Sequence, residues 1–385
     1  MKVQASHPMF PDATHDEQSR QNFVRTMRLH LMDEWQPETA AIYRTKVRPA
    51  FERANGRPPK NRSEVRKAMN GDAFTNTWGA LLRTTQEMLY DTVGPSIERQ
   101  HGVLMDKARR ISGRAGGSVR SDPNLTIPKY HAAVDIHTKP GGYHSEFSDD
   151  DIFAGAEYDR TVNVYLMGML GPNNDDIACS LIGWIRGEHP EFTPRAILDM
   201  GCTVGHSTLA YCDAWRDAEI HAIDISGPCV RYAHARAESM GKRVHFSQQN
   251  AEHTDFADGS FDLVVSHIMM HETSNKGLAN IFAESRRLLR PGGIMLHADG
   301  VVTTADPFDK YMAEWMAHHN NEPFLGTLQD LDLPKMAREA GFPHNRVFET
   351  RIPSFTAAER NAMLESTNGG GGAYRHTWYT IAATK

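Results

Sequence analysis

The sequence predicts an α/β fold, a mostly parallel sheet with helices on both faces, preceded by a mainly helical N-terminal domain. Three observations carry this expectation. From about residue 195 onward, short apolar runs alternate with segments of helical period. Before about residue 112 the spacing is helical and strand-like runs are missing. A loop bearing Gly201 and Gly205 joins the first apolar run directly to a helix, as a strand–helix–strand unit requires. The expected domains are 1–150, mainly helical and contributing to an acceptor pocket or cover, and 151–385, with its sheet core from about 195.

The elements follow in order. Residues 1–16 read as a flexible lead. Phe23, Val24, Met27, Leu31 and Met32 recur at helical spacing over 17–35, and Pro37 is expected to break that helix. Further helices are expected at 38–54, 62–69, 73–92 and 95–111, with Gly94-Pro95 as punctuation. GRAGGSVRSDPN (113–124) is a loop by composition, KYHAAVDIH (129–137) has a weak strand pattern, and Lys139-Pro140-Gly141-Gly142 makes a turn. Helices at 151–169 and 174–187 lead into the sheet. Strands are expected at 196–200, 219–224, 243–249, 261–267 and 293–299, separated by helices at 206–216, 228–240 and 275–289. A helix at 328–340 and strands at 344–352 and 376–383 complete the chain, with the four glycines 369–372 as a mobile connection.

Composition narrows the function classes. A chain of 385 residues can bury two cores, and 40% hydrophobic with 23% charged residues is ordinary globular composition. No apolar run approaches the length of a membrane span, and the N-terminus lacks the apolar stretch of a secretory signal, so a cytoplasmic location with no membrane partner is expected. The net charge of -6 counts against a nucleic-acid partner. The local run Arg99, Lys107, Arg109, Arg110, Arg114 and Arg120 is read as a solvated helix end. Four cysteines form no CxxC pair, as suits a reducing compartment. Oligomeric state is open, a homo-oligomer included.

The chemistry concentrates in Ile197-Leu198-Asp199-Met200-Gly201-Cys202-Thr203-Val204-Gly205-His206-Ser207. Glycines there let the backbone turn sharply and let a ligand approach with no Cβ in the way. The following helix start offers unpaired N–H groups. The third glycine of a dinucleotide fingerprint is missing, which counts against a nicotinamide oxidoreductase. Asp224 ends the second strand, where an acid can accept both hydroxyls of a ribose, although it could equally cap the next helix. Asn250-Ala251 leaves the third strand and can read an adenine edge beside Ile225 or Phe256; a plain turn is the alternative for Asn250.

With these residues in place the sequence resembles the class I S-adenosylmethionine-dependent methyltransferases in their Rossmann-like form. The resemblance is carried by LDMGCTVGHST, Ile223-Asp224-Ile225, Gln249-Asn250-Ala251-Glu252, Asp258-Gly259-Ser260-Phe261-Asp262-Leu263-Val264-Val265 and Leu288-Leu289-Arg290-Pro291-Gly292-Gly293. It implies a seven-stranded sheet whose last strand is antiparallel, and S-adenosyl-L-methionine as cofactor. It implies cofactor contacts at Asp199, Gly201, Cys202, Thr203, Gly205, Asp224, Ile225, Asn250, Ala251 and Ser266. Two positions depart from the family pattern, Thr203 for the usual loop glycine and Asn250 for an acid.

Candidate catalytic groups follow the fourth and fifth strands, whose C-terminal ends face the ligand crevice. His271 is the first candidate for a general base, with His267 and Glu272 beside it and Asp299 after the fifth strand. The alternative is a pocket-wall residue for His271, a buried and satisfied one for His267 and a helix-start residue for Glu272. Tyr143, His144, Tyr158 and Tyr165 are the acceptor-side candidates, able to shed water and present ring faces. No metal is expected, since the spacing of His131, His137 and His144 matches no zinc pattern. The expected reaction is methyl transfer to a small-molecule acceptor. The rivals are intramolecular displacement releasing methylthioadenosine, and modification of a nucleic acid or protein.

Overall fold

The computed structural model describes residues 4–300, 304–356 and 377–385. Its helices, in chain order, begin with α1 (His15–His30), α2 (Gln36–Ile42), α3 (Arg48–Asn55), α4 (Arg62–Met69), α5 (Ala73–Glu98) and α6 (His101–Ile111). They continue with α7 (Lys129–Ala132), α8 (Phe153–Tyr165), α9 (Asp176–Glu188), α10 (Thr208–Ala214) and α11 (Gly227–Ser239). The last four are α12 (Asn275–Leu288), α13 (Pro307–Asn320), α14 (Leu325–Leu328) and α15 (Leu333–Glu339). The strands are β1 (Ser118–Arg120), β2 (Ala196–Met200), β3 (Glu219–Asp224), β4 (His245–Gln248), β5 (Phe261–His267), β6 (Leu289–Asp299), β7 (Val347–Pro353) and β8 (Thr377–Thr384).

The strands form one sheet in the order β1-β4-β3-β2-β5-β6-β8-β7. Pairing is parallel from β1 through β6, and β8 inserts antiparallel between β6 and β7. Every residue of β2 is buried, because helices cover both faces. Alternate side chains serve two cores: Ile197, Leu263, Val265 and Leu296 on one face, and Leu198, Met200, Val264 and Met295 on the other. Full burial of each such side chain contributes about 1.5–3 kcal/mol. The order reverses beside β2, so its C-terminal end opens onto the crevice where open α/β sheets bind ligands.

Several local expectations are corrected. The sheet has eight strands among the described residues, because the segment read as a loop at 113–124 contributes β1. Glu238 draws it in, its carboxylate accepting from the Ala115 and Gly117 amides, and a Cβ on Gly117 would lie 2.5 Å from the Val244 carbonyl. Pro37 does not end the first helix, because a π turn (Leu31–Trp35) precedes it, and a second (Tyr43–Val47) precedes Pro49. The wider turns admit a ring that lacks an N–H. Gly94 and Pro95 lie inside α5, with Pro95 in its last turn. Residues 129–137 are not a strand: they form α7 and lead into a short 3-10 turn, with His137 at φ 55°. The lead is packed: Met9 is fully buried, and the Tyr232 hydroxyl donates to its carbonyl. The glycines 369–372 lie outside the described residues.

The helical unit draws on both ends of the chain. On α13, Phe308 stacks on Tyr43 at 4.2 Å, and the two share a core with Leu31, Trp78, Leu82 and Tyr311. Three residues of the basic run are paired with acids: Arg99 with Glu17, Arg109 with Asp150 and Arg120 with Asp255. Among the described residues no helix is long and apolar enough to cross a membrane.

Candidate active site

At the end of β2 the chain turns through Gly201 (φ 74°), Thr203 (φ 43°) and Gly205 (φ 74°). The amides of Gly201 and Cys202 both donate to the Ile223 carbonyl, tying the loop to β3. A Cβ on Gly201 would stand 2.8 Å from Met269 Sδ, so only glycine keeps this wall of the crevice clear. Asp224 closes β3. Its Oδ2 accepts from the Thr203 amide and its Oδ1 from the Ser226 amide, each at 2.9 Å. Burial pushes its pKa up to about 6, against the pull of those two N–H groups. Each oxygen keeps a lone pair for a further donor.

One cavity of about 440 Å³ runs from this loop to the helical unit. Of the cofactor candidates, Gly201, Thr203, Asp224, Ile225, Asn250 and Ala251 line it. Asn250 also fills its alternative part, its Oδ1 capping the Glu252 amide. Four candidates do not line it. Asp199 lies beneath the loop, accepting from the Thr208 hydroxyl and facing His267 Nδ1. Cys202 packs into the core. Gly205 abuts Phe246, and its carbonyl accepts from Arg236. Ser266 is fully buried and bonds His297, because alternation along β5 sends it to the face opposite its neighbour His267.

The three catalytic candidates all line the cavity. His267 is a supporting residue, its ring nitrogens engaged by the Tyr211 hydroxyl at 2.8 Å and Asp199 at 3.2 Å. His271 Nδ1 lies 2.7 Å from Asp299 Oδ1, and its Nε2 lies 3.5 Å from Glu272 Oε1. The same Glu272 oxygen lies 2.9 Å from His137 Nε2, and His137 Nδ1 lies 3.1 Å from Glu322 Oε1. The three ligand-type side chains His137, His271 and Glu272 present atoms all within 4.8 Å of one another. Burial opposes charge on both rings. Asp299 and Glu272 nevertheless hold His271 well above the usual histidine range, and Glu272 with Glu322 raises His137 to about 9. Burial likewise opposes ionisation of Glu272, but the two imidazoles hold it well below the usual carboxylate range.

The acceptor-side candidates Tyr143, His144, Tyr158 and Tyr165 line the cavity as well. Tyr165 donates to Glu322 at 2.8 Å and sets its ring edge against His137. Tyr143 meets Tyr90 oxygen to oxygen at 3.3 Å, and its carbonyl accepts from the Ser226 hydroxyl. Burial lowers the pKa of His144. Sequence reasoning missed Tyr90, Gln86 and Glu322. Tyr90 and Gln86 lie within an ordinary apolar helix face, and Glu322 follows a left-handed Asn321 that ends α13. It placed His137 in the aromatic and imidazole segment that could cover the site and set it aside as a metal ligand.

The cradle fits S-adenosylmethionine. A ribose diol would find the Asp224 carboxylate at the cavity wall, a glycine leaves room that a Cβ would take, and the crevice continues past both. Residues 197–293 match the family model described as a methyltransferase domain. A malonyl-[acyl-carrier protein] O-methyltransferase of Xylella fastidiosa is 30% identical over 103 residues, 27% of this chain and 34% of that protein. A polyketide synthase-nonribosomal peptide synthetase of Pyricularia grisea is 31% identical over 193 residues, 44% of this chain and 5% of that one. The chain spans about a third of the length of the Xylella protein. Among solved structures, phosphoethanolamine N-methyltransferase 2 of Haemonchus contortus is similar with 18% identity, covering 63% of this chain and 60% of that one at a TM-score of 0.42. Residues 197–293 thus form a methyltransferase domain, similar to those of S-adenosylmethionine-dependent methyltransferases.

Proposed function

We propose that the protein transfers the methyl group of S-adenosylmethionine to a small-molecule acceptor seated between the glycine loop and the His137–His271–Glu272 floor. One observation carries this reading: a single cavity joins the cofactor cradle at Gly201, Thr203 and Asp224 to that polar floor beside half-buried tyrosines. S-adenosylmethionine, when bound, supplies an electrophilic methyl carbon on a sulfonium. The protein's task is then positioning, which can supply roughly 7–11 kcal/mol of the barrier. Tyr143 and Tyr158, at 5.7 Å edge to face, narrow the passage and keep water from the reacting centre. His271, oriented by Asp299, presents Nε2 toward the floor and holds or moves the acceptor's proton there.

The relatives' names do not carry their acceptors over. Tyr90, His137, Tyr143, Tyr165 and Glu322, which shape the acceptor side, all lie outside residues 197–293. The segment from Pro128 to His144 is proposed to cover the site, being anchored to α8 by the buried Lys139–Glu157 pair. The test is incubation of the protein with labelled S-adenosylmethionine and a metabolite extract. A compound that gains one methyl, with S-adenosylhomocysteine released, supports the reading. Methylthioadenosine as the sole product refutes it.

A further inference from the structure

We propose that His137 Nε2, His271 Nε2 and the Glu272 carboxylate form a binding site for one divalent transition-metal ion, placed to take the acceptor's attacking atom. Three independent features of the geometry point there. Glu272 Oε1 lies 2.9 Å from His137 Nε2 and 3.5 Å from His271 Nε2. These separations bracket the roughly 3.3 Å between donors set tetrahedrally at 2.0–2.1 Å from an ion. All three donor atoms lie within 4.8 Å of one another, so a small closure completes the set.

The second feature is the outer ring of carboxylates. A histidine that ligates a metal nearly always gives its other ring nitrogen to a carboxylate, carbonyl or water, which fixes tautomer and ring angle. His271 shows that arrangement, and at His137 a carboxylate stands beside the second ring nitrogen, at ion-pair distance and without hydrogen-bond geometry. Asp299 Oδ1 lies 2.7 Å from His271 Nδ1, and Glu322 Oε1 lies 3.1 Å from His137 Nδ1. The outer carboxylates are themselves held: the Tyr165 hydroxyl donates to Glu322, and the His271 and Gly300 amides donate to Asp299. Each imidazole therefore keeps its Nε2 for the shared centre.

The third feature is the open side. The three donors line the cavity rather than closing on themselves. Three protein ligands with free positions are the pattern of reactive sites, whereas structural sites use four. Two imidazoles among three donors favour zinc, cobalt or iron over magnesium or calcium. The net charge suits a cation: Glu272, Glu322 and Asp299 supply three carboxylates against two imidazoles, and an ion takes the place of the imidazole protons.

What the ion would do rests on the methyl-transfer reading. An acceptor hydroxyl bound to it gives its proton to solvent. The oxygen lone pair then forms the bond to the methyl carbon, and the carbon–sulfur pair leaves with the sulfur. With the ion bound, lowering the acceptor's pKa in this way takes over the proton-handling role that His271 has in the ion-free site.

The experiment uses the full chain after dialysis against chelator, titrated with Zn2+ by calorimetry and with Co2+ by visible absorption. Binding of one equivalent is expected, with Co2+ bands of four- or five-coordination and no comparable heat from Mg2+. His137→Ala and His271→Ala should weaken that equivalent at least a hundredfold. Asp299→Asn and Glu322→Gln should weaken it about 10–100-fold while the circular dichroism spectrum is kept. A wild-type chain that takes up neither ion, or variants that all keep its affinity and Co2+ spectrum, overturns the site. S-adenosylhomocysteine is titrated into the same metal-free protein. Its failure to bind counts against the cofactor cradle, and the ion titration is read separately.

Discussion

His206, in the glycine loop, places its Nε2 2.7 Å from Oδ1 of Asp159 on α8, and so ties the cofactor crevice to the helical unit. The same carboxylate takes His7 at 2.8 Å, the Tyr232 hydroxyl at 2.7 Å and the Gln4 amide at 2.9 Å. Burial opposes its ionisation, but the His206 and His7 bonds and the Arg236 charge outweigh it and hold Asp159 well below the usual carboxylate range. Removing the carboxylate orphans several buried donors at once. Asp159→Ala should therefore destabilise the protein by about 3–5 kcal/mol in urea unfolding. A depressed folded-state pKa gives stability that is present above the unfolded value near 4 and lost as pH falls below it. In Asp159→Asn that acid-side loss should be smaller. A variant within about 1 kcal/mol of wild type removes this role.

Asp224 titrates in the opposite sense. Burial raises its folded-state pKa to about 6, so ionisation costs stability as pH rises from near 4 through 6. Only the ionised form accepts two ribose hydroxyls. S-adenosylhomocysteine affinity should rise through pH 6, with proton release on binding, read by calorimetry in buffers of different ionisation enthalpy. Asp224→Ala should cost about 1–3 kcal/mol of affinity and flatten that pH profile. Equal affinity at pH 5 and pH 8 in wild type would remove the carboxylate from the binding site.

Gly201 faces Met269 across the crevice so closely that a side chain there would displace the methionine into the cavity. Its φ of 74° adds about 1–2 kcal/mol of backbone strain for any L side chain. Gly201→Val should abolish detectable S-adenosylhomocysteine binding. Val24, Leu89 and Tyr90 pack in a core that the glycine loop enters through Val204 and not through Gly201, so helical circular dichroism should persist. Unimpaired binding by this variant would place the cofactor elsewhere.

The same residues show what was legible in the chain. β2 to β6 and the turns at Gly201 and Asp224 could be read because period, glycine and acid lie within a few positions of one another. The floor could not. His137 and Glu272 are 135 positions apart, and Glu322 lies just past the end of α13, the helix that follows β6. Ser266 was misplaced by one step of strand alternation, and β1 was hidden because Glu238 and a bare Gly117 draw a loop-like sequence onto β4. Local patterns speak for local geometry; convergence of distant side chains is a property of the packed fold.

Lys139 and Glu157 form a buried ion pair that fastens the segment over the cavity to α8. Burial pushes the Glu157 pKa up, and Lys139 works against that. Lys139→Met alone should cost about 3–5 kcal/mol, because it strands a buried carboxylate. Lys139→Met with Glu157→Leu should recover most of that loss, since an apolar pair of similar volume pays no desolvation. A double variant as unstable as the single one would show that the pair positions the segment by its geometry and not by its charge balance.

His271 separates binding from chemistry. Its ring meets Asp299 and Glu272 and takes no part in the Gly201–Thr203–Asp224 cradle. His271→Ala should leave S-adenosylhomocysteine affinity within about twofold, a difference below 0.5 kcal/mol. The rate of methyl transfer should fall by roughly 10²–10⁴, the usual contribution of a positioned proton-transfer group. The measurement is single-turnover transfer at saturating cofactor with the acceptor found in the extract experiment. Loss of cofactor binding with an unchanged rate at saturation would assign the ring to the cradle and remove it from the reacting floor.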